Sequence, residues 1–154
     1  MILFLDFDGV LHPENPNRPE DFSCRPYLWQ ILRACPTVEV VFSTQWRDIH
    51  TVDDLVEFAT QGGGEDLAHR FVGGTPLIGG ATSQGAVMHH AVPFYRREME
   101  CRLWLSDNGQ QGRPWLALDD FDAYFTPACP MLYLVDHRTG LTEADVTVLI
   151  ERLT

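Results

Sequence analysis

Met1-Ile2-Leu3-Phe4-Leu5-Asp6-Phe7-Asp8-Gly9-Val10-Leu11-His12 is the stretch on which the fold of this chain turns. Its first five residues are apolar without a break, too short a run for a helix, and they stop at a carboxylate and a glycine turn. That pattern predicts a strand buried on both faces and ended by residues 6–9. It recurs downstream: a run at 38–42 stops at Ser43 and Thr44, one at 115–118 stops at Asp119 and Asp120, and a fourth spans 131–135. Between these runs apolar residues take helical spacing. Tyr27, Leu28, Ile31 and Leu32 follow Pro26, which suits a helix start, and Leu55, Val56 and Ala59 lie within 53–60, closed by Gly62. Phe94, Met99, Leu103 and Trp104 lie within 94–105, and Val146, Leu149 and Ile150 follow Thr142 and Asp145, a capping box with Asp in place of the usual Glu. Doubly buried strands alternating with amphipathic helices predict an α/β fold, a Rossmann-like parallel sheet with helices on both faces, in one domain over residues 1–154. Residues 12–26 hold four prolines and are expected to be loop. Residues 61–85 hold eight of the twelve glycines and are expected to form a loop near the site or a surface excursion, with one helical turn at 65–71.

Composition narrows the function. Hydrophobic residues make up 45% and charged residues 21%, the balance of a soluble globular domain. Acidic residues number 22 against 11 basic, a net charge of −11, which argues against a general polyanion or membrane-surface binder, because covering an extended phosphate backbone takes a basic stripe. All 11 basic residues are arginine. The lack of lysine excludes a Walker-A phosphate loop and Schiff-base chemistry and leaves every cationic role to Arg. Cys24, Cys35, Cys101 and Cys129 form no C-x-x-C pair and are expected to be reduced thiols. With no signal-type segment ahead of the first strand, and no run near the roughly 18 apolar residues of a membrane helix, the chain is expected to be cytoplasmic.

In a parallel sheet the carboxyl ends of the strands share one edge, where open α/β sheets bind their ligands. That edge gathers Asp6, Asp8, Ser43, Thr44, Asp119 and Asp120 from three strands distant in sequence. Carboxylates so crowded raise one another's pKa and stay ionised only beside a cation. Hard oxygen ligands on an open edge suit Mg²⁺, which keeps waters and bridges carboxylates to a substrate phosphate.

Asp6-Phe7-Asp8-Gly9-Val10-Leu11-His12 resembles the D-x-D-G first motif of the haloacid dehalogenase (HAD) superfamily. Val40-Val41-Phe42-Ser43 resembles its second motif, an apolar strand closed by Ser or Thr, and Leu116-Ala117-Leu118-Asp119-Asp120 resembles its acidic fourth; the likeness covers essentially the whole chain. Ser43-Thr44-Gln45-Trp46-Arg47, Trp115 ahead of the acidic pair, and Val135-Asp136-His137-Arg138-Thr139-Gly140-Leu141-Thr142 are similar, more narrowly, to the small HAD domains of Swiss Army Knife RNA-repair proteins.

The resemblance implies a Mg²⁺-dependent phosphohydrolase. Asp6 attacks phosphorus and forms an aspartyl-phosphate, while Asp8 protonates the leaving oxygen and then deprotonates the attacking water. The metal ligands are Asp6, the backbone carbonyl of Asp8 and an acid of the Asp119–Asp120 pair, with Asp120 favoured as the direct ligand and Asp119 assisting. Ser43 donates to a phosphoryl oxygen, a role Thr44 could also take, helped by backbone amides near Phe7 and Asp8. The third motif of the family usually supplies a lysine, which this chain lacks. Arg97 is the first choice to replace it, with Arg96 and Arg47 as alternatives, and Arg47 could instead clamp the phosphate.

Other residues carry two readings each. His12 is expected to be a structural histidine beside a turn, with substrate contact as the alternative. Trp46 and Trp115 are expected in the core, with base stacking as the alternative. His89 and His90 point apart on any regular element, so no zinc site is expected there. Residues 12–25 are too few for a folded lid and 61–93 offer only a loop-rich insertion, so the cap is expected to be minimal or missing and the site open. An open site accepts macromolecular ends, which points to a nucleic-acid terminus as substrate, reached alone or beside a repair partner. The alternatives are a small-molecule nucleotide phosphatase and a degenerate HAD domain kept as an interaction module. A receiver-type phosphoacceptor is disfavoured, since it needs an active-site lysine and an acceptor on a later strand.

Overall fold

Ile2–Leu5 forms β1, and all four of its side chains are fully buried because the strand runs through the middle of a sheet covered on both faces. The computed structural model describes residues 1–79 and 94–154. Within them β2 (Glu39–Phe42), β3 (Phe71–Gly74), β4 (Trp115–Asp119) and β5 (Leu132–Leu134) join β1 in one sheet of order β3-β2-β1-β4-β5, every pairing parallel. The helices are α1 (Arg25–Ala34), α2 (Val52–Thr60), α3 (Arg96–Asp107) and α4 (Glu143–Leu153), with 3-10 turns at Gln45–Asp48, Glu65–Arg70 and Asp122–Tyr124. This is the α/β, Rossmann-like arrangement expected from the strand pattern.

The chain steps from β1 through β2 to β3 in one direction, then returns across β1 to β4 and β5. Right-handed crossovers put connections that run in opposite directions on opposite faces. Accordingly α1 and α2 cover Leu3, Leu5, Val40 and Phe42, whereas Cys101, Trp104 and Leu105 of α3 cover Ile2, Phe4, Val41 and Ala117. α4 comes back to the first face and packs on α1. The reversal leaves a crevice between the carboxyl ends of β1 and β4, the switch point of the sheet.

Two helices open on reciprocal capping boxes, Thr51 with Asp54 and the expected Thr142 with Asp145. At the far end of α1 the buried Arg70 donates to the carbonyls of Leu32 (3.2 Å), Cys35 (2.7 Å) and Val38 (2.7 Å), closing the helix and fixing the entry into β2.

Three elements depart from the sequence pattern, the first being β5, which was expected to be buried on both faces but lies at the sheet edge with Leu134 exposed. β3 was expected to be loop; its Gly73-Gly74 pair carries no strand signal, and its pairing with β2 slips between Val40 and Val41. In α3 the expected inward residues Met99 and Leu103 face outward, and Arg97, Glu98, Glu100, Cys101 and Trp104 face in. The inward charges are paired with one another and with neighbouring loops, which makes their burial tolerable. Glu98, for example, accepts the Thr126 N–H (2.8 Å) and hydroxyl (2.9 Å).

Among the described residues nothing forms a folded cap. The segment between β1 and α1 consists of turns tied by a bridge between Asp8 and His12. His89, His90 and the end of the glycine-rich stretch lie outside the described residues. No described helix is long and apolar enough to cross a membrane. All four cysteines are free, and Cys24, Cys35 and Cys101 are buried.

Candidate active site

Register builds the site. Leu5 pairs with Phe42 on one side and Leu118 on the other, so the next residues, Asp6, Ser43 and Asp119, form a row across the edge of β2, β1 and β4. Side chains alternate along a strand, which aims this row, like Phe4, Val41 and Ala117 two positions earlier, at the face covered by α3. Arg97 in the first turn of α3 meets the row there. Its Nη1 lies 2.8 Å from Asp119 Oδ2 and 3.4 Å from Asp6 Oδ1.

One turn further along α3, Glu100 links this pair to the neighbouring loop. Its Oε2 is 3.8 Å from Arg97 Nε and 3.1 Å from Arg47 Nη2, and its Oε1 accepts the Ile78 N–H at 3.0 Å. Asp119 Oδ1 accepts the Phe121 N–H (3.0 Å) and Asp6 Oδ1 accepts the Phe7 N–H (2.8 Å). Arg97 is 3% exposed, Asp119 1% and Asp6 7%, so these are buried charges that are stable only as a connected set.

Asp8 sits just ahead of the turn at Gly9 and is only half-buried. Its Oδ1 is 2.8 Å from His12 Nε2, and its Oδ2 accepts the Trp46 indole N–H at 3.1 Å. His12 is buried edge-on against Phe22 (ring centroids 4.8 Å). The His12 bond, reinforced by Trp46, holds the Asp8 carboxyl below the usual carboxylate range despite partial burial.

The other three acids behave oppositely. Burial raises Asp6, with Arg97 and the Phe7 N–H offsetting only part of the effect. Burial followed by the charge of Asp6 pushes Asp119 up to about 8 and Asp120 up to about 7, Glu14 adding to the latter. Burial also works against the charge on Arg97, yet Asp6, Asp119 and Glu100 together hold its guanidinium protonated more firmly than a free one. One guanidinium does not balance the acids around it. Asp6, Asp119 and Asp120 each offer an oxygen, all within 4.8 Å of one another, and these three carboxylates can hold a metal ion.

Gly9 makes the approach of Asp120 possible. It sits at φ +72°, and a Cβ there would fall 2.2 Å from Asp120 Oδ2. In front of the acids lies a cavity of about 380 Å³ lined by Asp6, Asp8, Gln45, Arg96, Arg97 and Asp120, with Tyr124 at its edge. Arg96 and Arg97 lie 4.9 and 5.5 Å from the Tyr124 ring centroid.

The structure therefore brings Asp6, Asp8, Arg97 and Asp120 around one cavity, with Asp119 behind Arg97 and Ser43 in the same row. Ser43 Oγ is buried without a hydrogen-bond partner among the described residues, and the Thr44 hydroxyl favours the ionised form of Asp6. Arg47, by its sequence an alternative to Arg97 or a clamp on the phosphate, makes its contacts elsewhere. Its donors are taken by Thr44 O (2.6 Å), Thr75 O (2.7 Å) and Glu100, and it does not line the cavity. Trp115 lies in the core against Phe4, whereas Trp46 reaches the site. Glu100, Gln45, Glu14 and Tyr124 join the site without having been expected there from the sequence. The Arg97-x-x-Glu100 spacing was a readable signal, while Glu14 and Tyr124 come from turns whose placement no local pattern reveals.

A parallel sheet of this order, with D-x-D-G leaving its first strand and a double aspartate leaving its fourth at the switch point, defines an α/β domain of the HAD type. The family model described as the HAD domain in Swiss Army Knife RNA repair proteins matches residues 2–146, and the chain belongs to that family. No curated protein and no solved structure matches it.

Proposed function

We propose that residues 1–154 work as one Mg²⁺-dependent phosphohydrolase domain that removes a phosphate monoester from a nucleic-acid end through an aspartyl-phosphate on Asp6. The observation that carries this is the Asp6 carboxylate itself: it stands at the switch point 3.4 Å from Arg97 and shares a 4.8 Å oxygen cluster with Asp119 and Asp120. In the first step an Asp6 oxygen attacks phosphorus, the bond from phosphorus to the leaving oxygen breaks, and that oxygen takes a proton from Asp8. In the second a water attacks the aspartyl-phosphate and gives its proton to Asp8, and the bond to Asp6 breaks to release inorganic phosphate. His12 and Trp46 hold Asp8 in place for both transfers. Its lowered pKa suits the base role, and an entering phosphate dianion favours the proton it must carry in the first step.

Hard oxygen donors with surplus negative charge fit Mg²⁺. Asp6, Asp120 and the Asp8 backbone carbonyl would hold it, with Asp119 assisting, because both Asp119 oxygens already serve Arg97 and Phe121. When bound, Mg²⁺ neutralises the repulsion between Asp6 and the phosphate. Arg97 takes the place of the family's third-motif lysine, and the unpartnered Ser43 hydroxyl, with Thr44 beside it, supplies a donor for a phosphoryl oxygen. The family's association with RNA repair favours a nucleic-acid terminus, reached alone or beside a repair partner. The net charge of −11 favours a mononucleotide as the alternative substrate.

The test is phosphate release from 3′- and 5′-phosphorylated oligoribonucleotides and from mononucleotides, with Mg²⁺ and with chelator. Asp6→Asn is expected to lower turnover by about 10³-fold or more. Turnover that survives this substitution or the chelator sinks the mechanism, and metal binding without turnover identifies a degenerate domain.

A further inference from the structure

Asp8 lines several neighbouring spaces, two of which bear on the leaving group. One is the cavity in front of Asp6, and the other is a groove of about 510 Å³ that borders it at Asp8 and Gln45 and is walled by Trp46, Ile49, His50 and Phe58. We infer that this groove seats the base of a nucleoside whose phosphate monoester lies at Asp6. The inference rests on the phosphohydrolase proposed above and goes past it in assigning the place where the base of the leaving nucleoside sits.

Geometry supplies the first reason. If Asp8 protonates the leaving oxygen, the leaving group must extend on the Asp8 side of the phosphate, and the groove begins there. Its volume falls within the roughly 300–1,000 Å³ of small-molecule sites. The shape of the walls supplies the second. The His50 ring stacks on Trp46 (centroids 5.5 Å, 26° between planes) and meets Phe58 edge-on at 5.0 Å, giving flat aromatic surface. Ile49 is 79% exposed beside it, an apolar side chain poised to cover one face of a planar guest.

The rim supplies the third reason. Glu20 and Asp48 line the groove and no arginine does. Carboxylates repel a second phosphate and accept from the exocyclic amino and ring N–H groups of a base. A sugar alone leaves the ring surfaces uncovered, an aliphatic group leaves the carboxylates without donors, and a polyphosphate is repelled. A heteroaromatic base that carries amino donors satisfies both walls and rim.

The experiment compares kcat/KM with Mg²⁺ for ribose 5-phosphate, adenosine 5′-monophosphate, adenosine 3′-monophosphate and a 3′-phosphorylated diadenosine dinucleotide. Alongside it, adenosine binding is read in chelator by tryptophan fluorescence. At least one adenosine phosphate is expected to exceed ribose 5-phosphate by about tenfold or more, as stacking of one base supplies. That ratio should fall about tenfold, through KM, in Ile49→Ala and in His50→Ala. Which adenosine phosphate leads separates a free mononucleotide from a chain terminus. Equal kcat/KM across all four substrates, or a preference that both substitutions leave intact, overturns the groove assignment while the phosphohydrolase stands. If none of the four is hydrolysed, the groove is judged on fluorescence: quenching by adenosine that Ile49→Ala weakens supports it, and no quenching overturns it.

Discussion

Arg97 touches Asp6 and Asp119 and approaches Glu100, all four side chains being buried. Its removal would strand three buried carboxylates. Arg97→Met is therefore expected to destabilise the protein by about 3–5 kcal/mol, measured by urea unfolding, because breaking a buried ion pair leaves an uncompensated charge. Arg97→Lys keeps the charge on one compact ammonium but loses the Nε that faces Glu100 while Nη1 holds Asp6 and Asp119, so it should recover part of the stability and little of the turnover. Gly9→Ala is expected to do the reverse. A methyl group 2.2 Å from Asp120 Oδ2 displaces that carboxylate, so Mg²⁺ affinity measured by calorimetry should collapse, with a smaller loss of thermal stability. The acids were legible in the sequence because each ends an apolar run, and a strand that stops on a carboxylate announces itself. Arg47 was not. Its place beside Ser43 and Thr44 suggested a phosphate clamp, and only the fold shows that Thr44 O, Thr75 and Glu100 consume its donors.

At the scale of elements, α3 shows where apolar periodicity misleads. Met99 and Leu103 suggested an inward stripe, yet the helix buries Arg97, Glu98 and Glu100 because its inner face must neutralise the site and hold the Thr126 and Ile78 loops. Only from Cys101 onward, with Trp104 and Leu105, does the helix bury apolar side chains, so its first turn carries no apolar signal for the pattern to find. β3 was hidden for another reason, since Gly73 and Gly74 remove the side chains by which a strand is recognised. The strand depends instead on the turn ahead of it, where Arg70 satisfies three carbonyls at the end of α1. Arg70→Met should remove the guanidinium donors from these carbonyls, leaving the Val38 N–H as a partner for Cys35 O, and lower stability by about 2–4 kcal/mol in chemical unfolding, with Arg70→Lys recovering less than half of the loss. An Arg70→Met variant as stable as the parent would show that the three bonds do not anchor β3 and α1.

At the scale of the whole molecule, the sheet order creates the crevice and the crevice gathers more negative charge than the protein balances. Asp119 titrates at about 8 and Asp120 at about 7, against ordinary values of 3.8 in the unfolded chain, and Asp6 is raised as well. Between about pH 4 and pH 8 the folded protein thus binds more protons than the unfolded one, and stability without metal must fall as pH rises through that window. Asp8 has the opposite sign, but its lowered pKa confines its effect to acid below the ordinary carboxylate range. Mg²⁺ competes for the same oxygens as those protons. The increase in Tm on adding Mg²⁺ should therefore be small near pH 5 and grow towards pH 8, where the cation replaces protons already lost. General repulsion in a chain of net charge −11 also responds to divalent cations, so the decisive comparison is the Asp119→Asn/Asp120→Asn double variant. That protein should lose most of the downward slope of Tm with pH and most of the Mg²⁺-dependent rise. If the double variant keeps both, the charge that magnesium answers is spread over the surface, and the crevice at the switch point is not where the cation binds.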